Sequence, residues 1–450
     1  MPIFGRRQLQ LMLNDLGPWL VRGKAKDLLN RLENREPDQA LPAEYELALT
    51  WAVSRVATLE IDKRMGERTP DIYSSDLLAN CPVAADVAAV SDVSLSGDAL
   101  MRRAANIINL ACDEILKSAS EHLHYSFQER SGYFATTKGR RRFARDRQIT
   151  NAFQMDTLLR AALKDWLRGG RPTEPLRWRS EHIDVVISWR DYVHPLTNTF
   201  SSMPSLAYDL RKNPLYKVLK SKARQLKEVP VGVRRAIFLG DAGCRLLSDI
   251  NRADSVNQTF SGQQIINTFL ADGNSVDFVL VFSSKRAKER SLDTFKNPRI
   301  WYVYVFEQQR SRMQTEDLNR FFMLRDSLPA PYLTGYEAHS WHQQGMFSPQ
   351  GRGHYLPTSM SIGRKSMTIK ISARALHELM AGKLTSEQFK HWTVGENNPF
   401  KLQLGEGRTI SNVRFEGKNV AADDDYLIFE FRDDPAAAPL CLPDRLKSEE

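Results

Sequence analysis

Apolar residues recur at three- and four-residue spacing through QLQLMLNDLGPWL, AKDLLNRLEN and LPAEYELALTWAVSRVA, which predicts helices over the first 56 or so residues. Pro42 suits the first turn of the third helix, where a missing amide leaves no bond unmade. The period then changes, and ATLEID, PDIYSS and PVAADVAAV read as short strands parted by polar or proline-bearing turns. From Ser96, taken as an N-cap, to about Ser126 the helical spacing returns, with Leu100, Ala104, Ile107, Ile108, Ala111, Ile115 and Leu116 on one face. The first third of the chain therefore reads α-β-β-β-α.

Between Ser131 and Pro175 the chain is basic and reads as helix or loop, either an insertion or the start of a second unit. The middle third alternates: IDVVISW is a strand, LYKVLKSKARQLKEV a helix, RRAIFLG a strand, GQQIINTFL a helix, and VDFVLVFSS and IWYVYVFEQ are strands. Strands separated by helices favour a parallel or mixed sheet with helices packed against it. Beyond about residue 360 come the strand SMTIKIS, a helix through ARALHELMAGKLTSEQFKHW, and strands around NVRFEGK and YLIFEF. The expected class is α/β, a mixed sheet flanked by helices, with an N-terminal helical segment and a small C-terminal α+β unit. Its expected divisions are 1–130, the N-terminal helices and the first half of a core; 131–180, a basic helical insertion or linker; 181–355, alternating strands and helices; and 356–450, the C-terminal unit.

A chain of 450 residues exceeds the usual single core, so two to three domains are expected. With 42% hydrophobic and 26% charged residues, it is not a mainly disordered chain. Cys81, Cys112, Cys244 and Cys441 form no C-x-x-C pair, so neither a zinc knuckle nor a disulfide framework is indicated. The charged N-terminus lacks the apolar run of a signal peptide, and no apolar stretch is long enough to span a bilayer, which predicts a cytoplasmic protein with no membrane partner. A formal net charge of +9 favours a polyanionic partner, because lysine and arginine that neutralise phosphates release condensed counterions. Neither G-x-x-x-x-G-K-[ST] nor G-x-G-x-x-G occurs, so any ATPase or motor step belongs to a partner protein.

Residues 44–92 carry the most chemistry. Glu44 lies in the third helix, Asp71 follows Pro70 at the start of PDIYSS, and Asp86 lies in the strand AADVAAV. Metal-dependent phosphodiester hydrolysis needs such carboxylates, since hard Mg²⁺ takes oxygen ligands, activates water and neutralises developing charge. An acid on a helix, a Pro-Asp opening a strand and an acid on the next strand resemble the PD-(D/E)XK nuclease superfamily, whose restriction-endonuclease-like core is α-β-β-β-α-β. The resemblance implies that Glu44 is the helix acid and that Asp71 and Asp86 bind Mg²⁺ or Mn²⁺. Ala88 occupies the place of the motif lysine, the group that would position water and stabilise the transition state. Members sometimes take a basic or amide group from a later helix, which makes Lys222 and Gln225 the candidates and requires 131–180 to be an insertion. A second set would be Glu181 and Asp184, with Arg190 for the lysine. The same acids also have structural readings: Pro-Asp is common turn chemistry, Glu44 a solvated first-turn helix acid, and Asp86 a strand-edge acid or an arginine's partner.

The densest positive run is KGRRRFARDR, with Lys138, Arg140, Arg141, Arg142, Arg145 and Arg147. On a helix, Lys138, Arg141 and Arg145 would share a face and track a phosphate backbone, with Tyr133, Phe134 and Phe143 either stacking on bases or anchoring a core. His339 and His342 are structural or surface histidines, lacking the H-E-x-x-H pattern. Cys244 in GDAGC is a buried cysteine with no assignable histidine partner, and Asp423, Asp424 and Asp425 form a solvated hairpin turn. Two functions follow from the resemblance. One is a Mg²⁺-dependent endonuclease cutting DNA, in a bacterial phage-defence or restriction setting. The other, with the motif lysine absent, is a catalytically inactive nuclease fold serving as a DNA-binding or scaffolding subunit. A protein-only interaction module with incidental basicity is the third class.

Overall fold

The structure is a computed structural model that describes residues 3–34, 36–92, 98–135, 139, 141–191, 199–200, 207–253, 259–273, 275–287, 298–308, 313–343, 347–348, 353–354, 359–362, 367–390, 398–416 and 424–434. The chain divides into two compact units, Met1–Ala48 with Pro329–Leu333 and Gly345–Glu450, and Leu49–Leu328 with Thr334–Gln344. At the N-terminus α1 (Arg6–Leu16) buries Leu9, Met12 and Leu16 at three- and four-residue spacing. It is followed by α2 (Arg22–Leu32) and α3 (Pro37–Val56). Pro37, not Pro42, opens α3; Asp38 in the first turn suits the positive end of the helix dipole and lets the helix begin ahead of its apolar stretch.

The second unit holds the larger sheet. β1 (Glu60–Ile61), β2 (Ile72–Ser74) and β3 (Val83–Val90) form an antiparallel meander. The chain then leaves this sheet for α4 (Asp98–Ile115), β4 (Leu123–Phe127), β5 (Glu129–Ala135), β6 (Arg141–Arg147), α5 (Thr157–Trp166), β7 (Leu176–Arg179), β8 (Asp184–Trp189) and β9 (Thr199–Phe200). Much of this segment has its own core, where Ile108, Tyr125, Leu159, Leu163 and Val185 are buried together, and its own sheet ordered β7-β8-β4-β9. The chain returns through α6 (Pro214–Gln225) to β10 (Arg234–Asp241), which lies parallel to β3. Then come α7 (Arg245–Ser248), α8 (Gly262–Ala271), β11 (Phe278–Arg286) parallel to β10, and β12 (Arg299–Glu307) antiparallel to β11. The result is a mixed six-stranded sheet, ordered β1-β2-β3-β10-β11-β12 and flanked by helices.

Leu215, Leu219 and Leu226 of the α6 segment and Ile265, Ile266 and Phe269 of α8 pack on one face of that sheet. On the other face α9 (Thr315–Ser327) sets Phe321 with its ring 5.5 Å from that of Phe278. The unit closes with α10 (Gly335–Gln343).

Two sequence expectations are corrected here. The helix read from Ser96 to Ser126 ends at Ile115 and packs in the insertion's core, so the helix that follows β3 on the six-stranded sheet is α6; Ser96 lies outside the described residues. The basic run is a strand rather than a helix. β5 and β6 pair as a two-stranded antiparallel ribbon with Tyr133 opposite Phe143, and Gly139 in the connection takes φ +71°, a backbone state that glycine adopts without steric cost. Lys138 and Arg140 lie outside the described residues.

The C-terminal part of the first unit comprises β13 (Phe347–Ser348), β14 (Gly353–His354), β15 (Ser359–Ile362), β16 (Met367–Ser372), α11 (Ala373–Met380), α12 (Ser386–Phe389), α13 (Pro399–Gly405), β17 (Arg408–Glu416) and β18 (Tyr426–Asp433). Four of these strands form an antiparallel sheet ordered β15-β16-β18-β17. The single helix expected through ARALHELMAGKLTSEQFKHW is broken after Met380, where Gly382 sits at φ +68°. Asp424 is not a solvated turn residue: its Oδ2 accepts from Ser372 Oγ and from the Arg374 amide, fixing the start of α11. Asp423 lies outside the described residues. Among the described residues no helix is long and apolar enough to cross a membrane.

Candidate active site

β3 reads VAADVAAV and is buried along most of its length, as expected of a strand inside a sheet covered on both faces. Register places Asp86 opposite Ile237 of β10, on the face that α6 covers. Ala84 and Ala88 flank Asp86 on that face, and such small side chains let a helix approach the strand closely. Ala88, the residue in place of the motif lysine, is thus part of the floor on which α6 lies.

α6 begins at Asn213, whose Oδ1 accepts from the Tyr216 amide at 2.8 Å, and Pro214 fills the first helical position. Leu215, Leu219, Lys222 and Leu226 follow at helical spacing on its inner stripe. The leucines are wholly buried, and a lysine among them lays its stem along the apolar surface while the ammonium reaches a polar partner. That partner is Asp71: Lys222 Nζ lies 3.6 Å from Asp71 Oδ2, with the two side chains 21% and 16% exposed, so the pair is reachable from solvent.

The two aspartates are tied to each other's strands. The Asp71 amide donates to Asp86 Oδ1 at 3.3 Å, and the Val87 amide donates to Asp71 Oδ2 at 2.9 Å. These backbone-to-side-chain bonds hold β2 and β3 together just beyond the last registered pair, Ile72–Ala85. Pro70 has no amide to extend the pairing further. The structure therefore brings Asp71, Asp86 and Lys222 together. Gln225 is exposed at the last residue of α6, three positions beyond Lys222.

The remaining candidates lie elsewhere. Glu44 belongs to the first unit and is fully buried, its Oε2 accepting from the amides of Ile3 at 3.0 Å and Phe4 at 3.2 Å. It anchors the N-terminal segment and is no solvated helix acid. Asp184, buried at the start of β8, pairs with Arg177 at 3.3 Å and Arg179 at 3.6 Å, while Glu181 and Arg190 are exposed. Arg141, Arg142, Arg145 and Arg147 lie on β6, and Arg147 Nη1 donates to the Phe127 carbonyl at 2.8 Å. His339 is buried on α10, and the His342 side chain is not among those described.

One group escaped the sequence reading. Asp241, at the carboxyl end of β10, accepts from the Cys244 amide at 2.8 Å, the Gly243 amide at 3.1 Å and Ser283 Oγ at 2.8 Å. Burial pushes its carboxyl up to about 6 despite these bonds, and the nearby Asp92 adds to the shift. Burial, then the charges of Asp92 and Asp241, raise the Cys244 thiol well above its ordinary range, so it stays protonated and inert as a nucleophile. The signal in the sequence was the aspartate of GDAG directly after an apolar strand, a placement suited to capping the turn that follows. Among the described residues no group of three or more His, Cys, Asp or Glu side chains is placed to hold a metal ion. Compared with protein-family models, curated proteins and solved structures, the chain finds no match.

Proposed function

We propose that this chain hydrolyses phosphodiester bonds of DNA, with Asp71, Asp86 and Lys222 as its active-site side chains on a divergent restriction-endonuclease-like core. The observation that carries the reading is the 3.6 Å approach of Lys222 to Asp71, beside Asp86 on one sheet face. Topology supports it, because without the segment between β3 and α6 the chain order α3-β1-β2-β3-α6-β10 is that of the α-β-β-β-α-β core.

Two carboxylates are the protein share that Mg²⁺ commonly takes, the remaining positions going to water and phosphate. Carboxylate oxygens are the hard donors such a cation takes, and the bond from the Asp71 amide to Asp86 holds the two side chains next to each other, so Asp71 and Asp86 fit a hard divalent cation. Bound there, it would supply Lewis-acid polarisation of a phosphoryl oxygen and lower the pKa of water. Lys222 would donate to a non-bridging phosphoryl oxygen, where negative charge grows as a water oxygen bonds to phosphorus and the ester P–O bond breaks. In that role Lys222 stands in for the side chain missing at Ala88.

The reciprocal bonds between the two strands favour a second reading, in which the aspartates only fix the strand ends and the chain is a DNA-binding or scaffolding subunit. Plasmid and linear single- and double-stranded DNA incubated with the purified chain and Mg²⁺ or Mn²⁺ separate the two. Cutting that is lost in Asp71→Ala, Asp86→Ala and in Lys222→Met supports hydrolysis. Salt-dependent binding without cutting under either metal leaves the subunit reading standing.

A further inference from the structure

The ribbon of β5 and β6 carries the densest positive run of the sequence. Between residues 129 and 147 stand Arg130, Lys138, Arg140, Arg141, Arg142, Arg145 and Arg147 against only Glu129 and Asp146. Register pairs Ser131 with Arg145, Tyr133 with Phe143, Phe134 with Arg142 and Ala135 with Arg141, so the arginines recur along the length of β6. Among the described residues no third strand pairs with this two-stranded sheet.

Such a ribbon is marginal alone, and here its base is fastened. The Gln128 amide donates to the Asp184 carbonyl at 2.9 Å, the Gln148 amide to the Gln128 carbonyl at 3.2 Å, and Arg147 to the Phe127 carbonyl at 2.8 Å. Beyond the base, Arg130, Ser131, Tyr133 and Ala135 are exposed, Tyr133 by 65%. The arrangement holds like charges at short spacing along one hairpin, which lowers stability unless an anion neutralises them.

We infer that the β5–β6 ribbon is a docking element for B-form duplex DNA, entering the major groove with its arginines on the flanking phosphates. The groove is about 12 Å wide and admits a two-stranded β-ribbon, and seven-residue strands reach about 24 Å. The guanidinium fork matches a phosphate bidentately, which suits a run made almost wholly of arginine. The deep, narrow major groove of A-form RNA excludes such an element.

This assignment shares its substrate with the proposed hydrolysis but fails separately from it, since binding is measured in EDTA, where no cutting occurs. Fluorescence anisotropy of a labelled duplex of about 20 base pairs is titrated with the full chain at several salt concentrations. The chains compared are wild type, Arg141→Gln/Arg145→Gln (the glutamine pair), Arg141→Lys/Arg145→Lys (the lysine pair), and Lys383→Gln/Lys401→Gln, which removes the same charge at two exposed lysines of the other unit. The glutamine pair is expected to weaken binding at least tenfold and to reduce the salt slope by about two, near 0.9 per phosphate contact. The lysine pair keeps most of the slope, the Lys383→Gln/Lys401→Gln chain keeps its affinity to within a few fold, and duplex RNA of the same length binds at least tenfold more weakly. An unchanged slope in the glutamine pair overturns the assignment, as does equal loss in the glutamine and lysine pairs. Equal affinity for duplex RNA or for single strands overturns the groove reading.

Discussion

Asp86 and Asp241 stand on neighbouring parallel strands, on one face of one sheet, both almost wholly buried. Asp86 lies opposite Ile237 and Asp241 opposite Val90, so about four residues, roughly 13 Å, separate them along the strands. Their surroundings differ in charge. Asp241 is met by two amides and a hydroxyl, and burial, with the charge of nearby Asp92, still drives its carboxyl toward protonation. Asp86 shares its end of the sheet with Asp71 and, through Asp71, with the Lys222 ammonium. Neutral donors satisfy an aspartate and make it a fastener for a turn. The other pair of aspartates instead stands beside a cation, the Lys222 ammonium.

The comparison breaks first at Asp241. Asp241→Ala would leave the Gly243 and Cys244 amides and the Ser283 hydroxyl buried without that acceptor, and a loss of about 4 kcal/mol in urea-induced unfolding is expected. Asp241→Asn keeps one acceptor oxygen and should lose about half as much. A loss under about 1 kcal/mol in the alanine variant would show that the turn does not depend on this carboxylate.

At the other end, Lys222→Met is expected to lower DNA cleavage at least a hundredfold, about 2.7 kcal/mol of barrier, while unfolding stability moves by no more than about 1 kcal/mol. Equal falls in activity and stability would make Lys222 a packing residue. Gln225→Ala, on the exposed end of the same helix, should change either quantity by no more than about 0.5 kcal/mol.

Acidity sharpens the contrast further. Asp241 has a folded pKa of about 6, above its ordinary value, so the native state binds the proton first and stability falls as pH rises through the window from about 4 to 6. Glu337 runs the other way: burial opposes it, but hydrogen bonds from Arg299, the Thr334 amide and Arg286 hold it down to about 2. Its contribution is present above its ordinary value and is lost as pH falls toward 2. Thermal midpoints should therefore rise on going from pH 7 to 5 and fall below about pH 4. Asp241→Asn should flatten the first arm and Glu337→Gln the second.

Local pattern reached a good part of this molecule. Strands such as VDFVLVFSS and RRAIFLG are apolar enough to declare themselves as buried sheet, and Leu215, Leu219 and Leu226 declare the inner stripe of α6 because burial follows period. Lys222 within that leucine stripe was a readable sign that an amine faces the sheet. Glu44 was less readable, since an acid in a helix looks the same in sequence whether it meets water or, as here, the amides of Ile3 and Phe4.

By itself, then, the sequence determined the class of fold, the alternation of strands and helices, and which acids and cations were available. Tertiary structure decided three things that no local pattern holds. It made the arginine run a strand, because pairing across the Gly139 connection supplies the bonds that a helix would otherwise make within itself. It made α6 rather than α4 the helix following β3 on the six-stranded sheet, because α4 spends its apolar face on the insertion's own core. And it brought Lys222 to Asp71, because parallel strands β3 and β10 must be joined by a crossover, and the helix of that crossover lies across the face where Asp86 points.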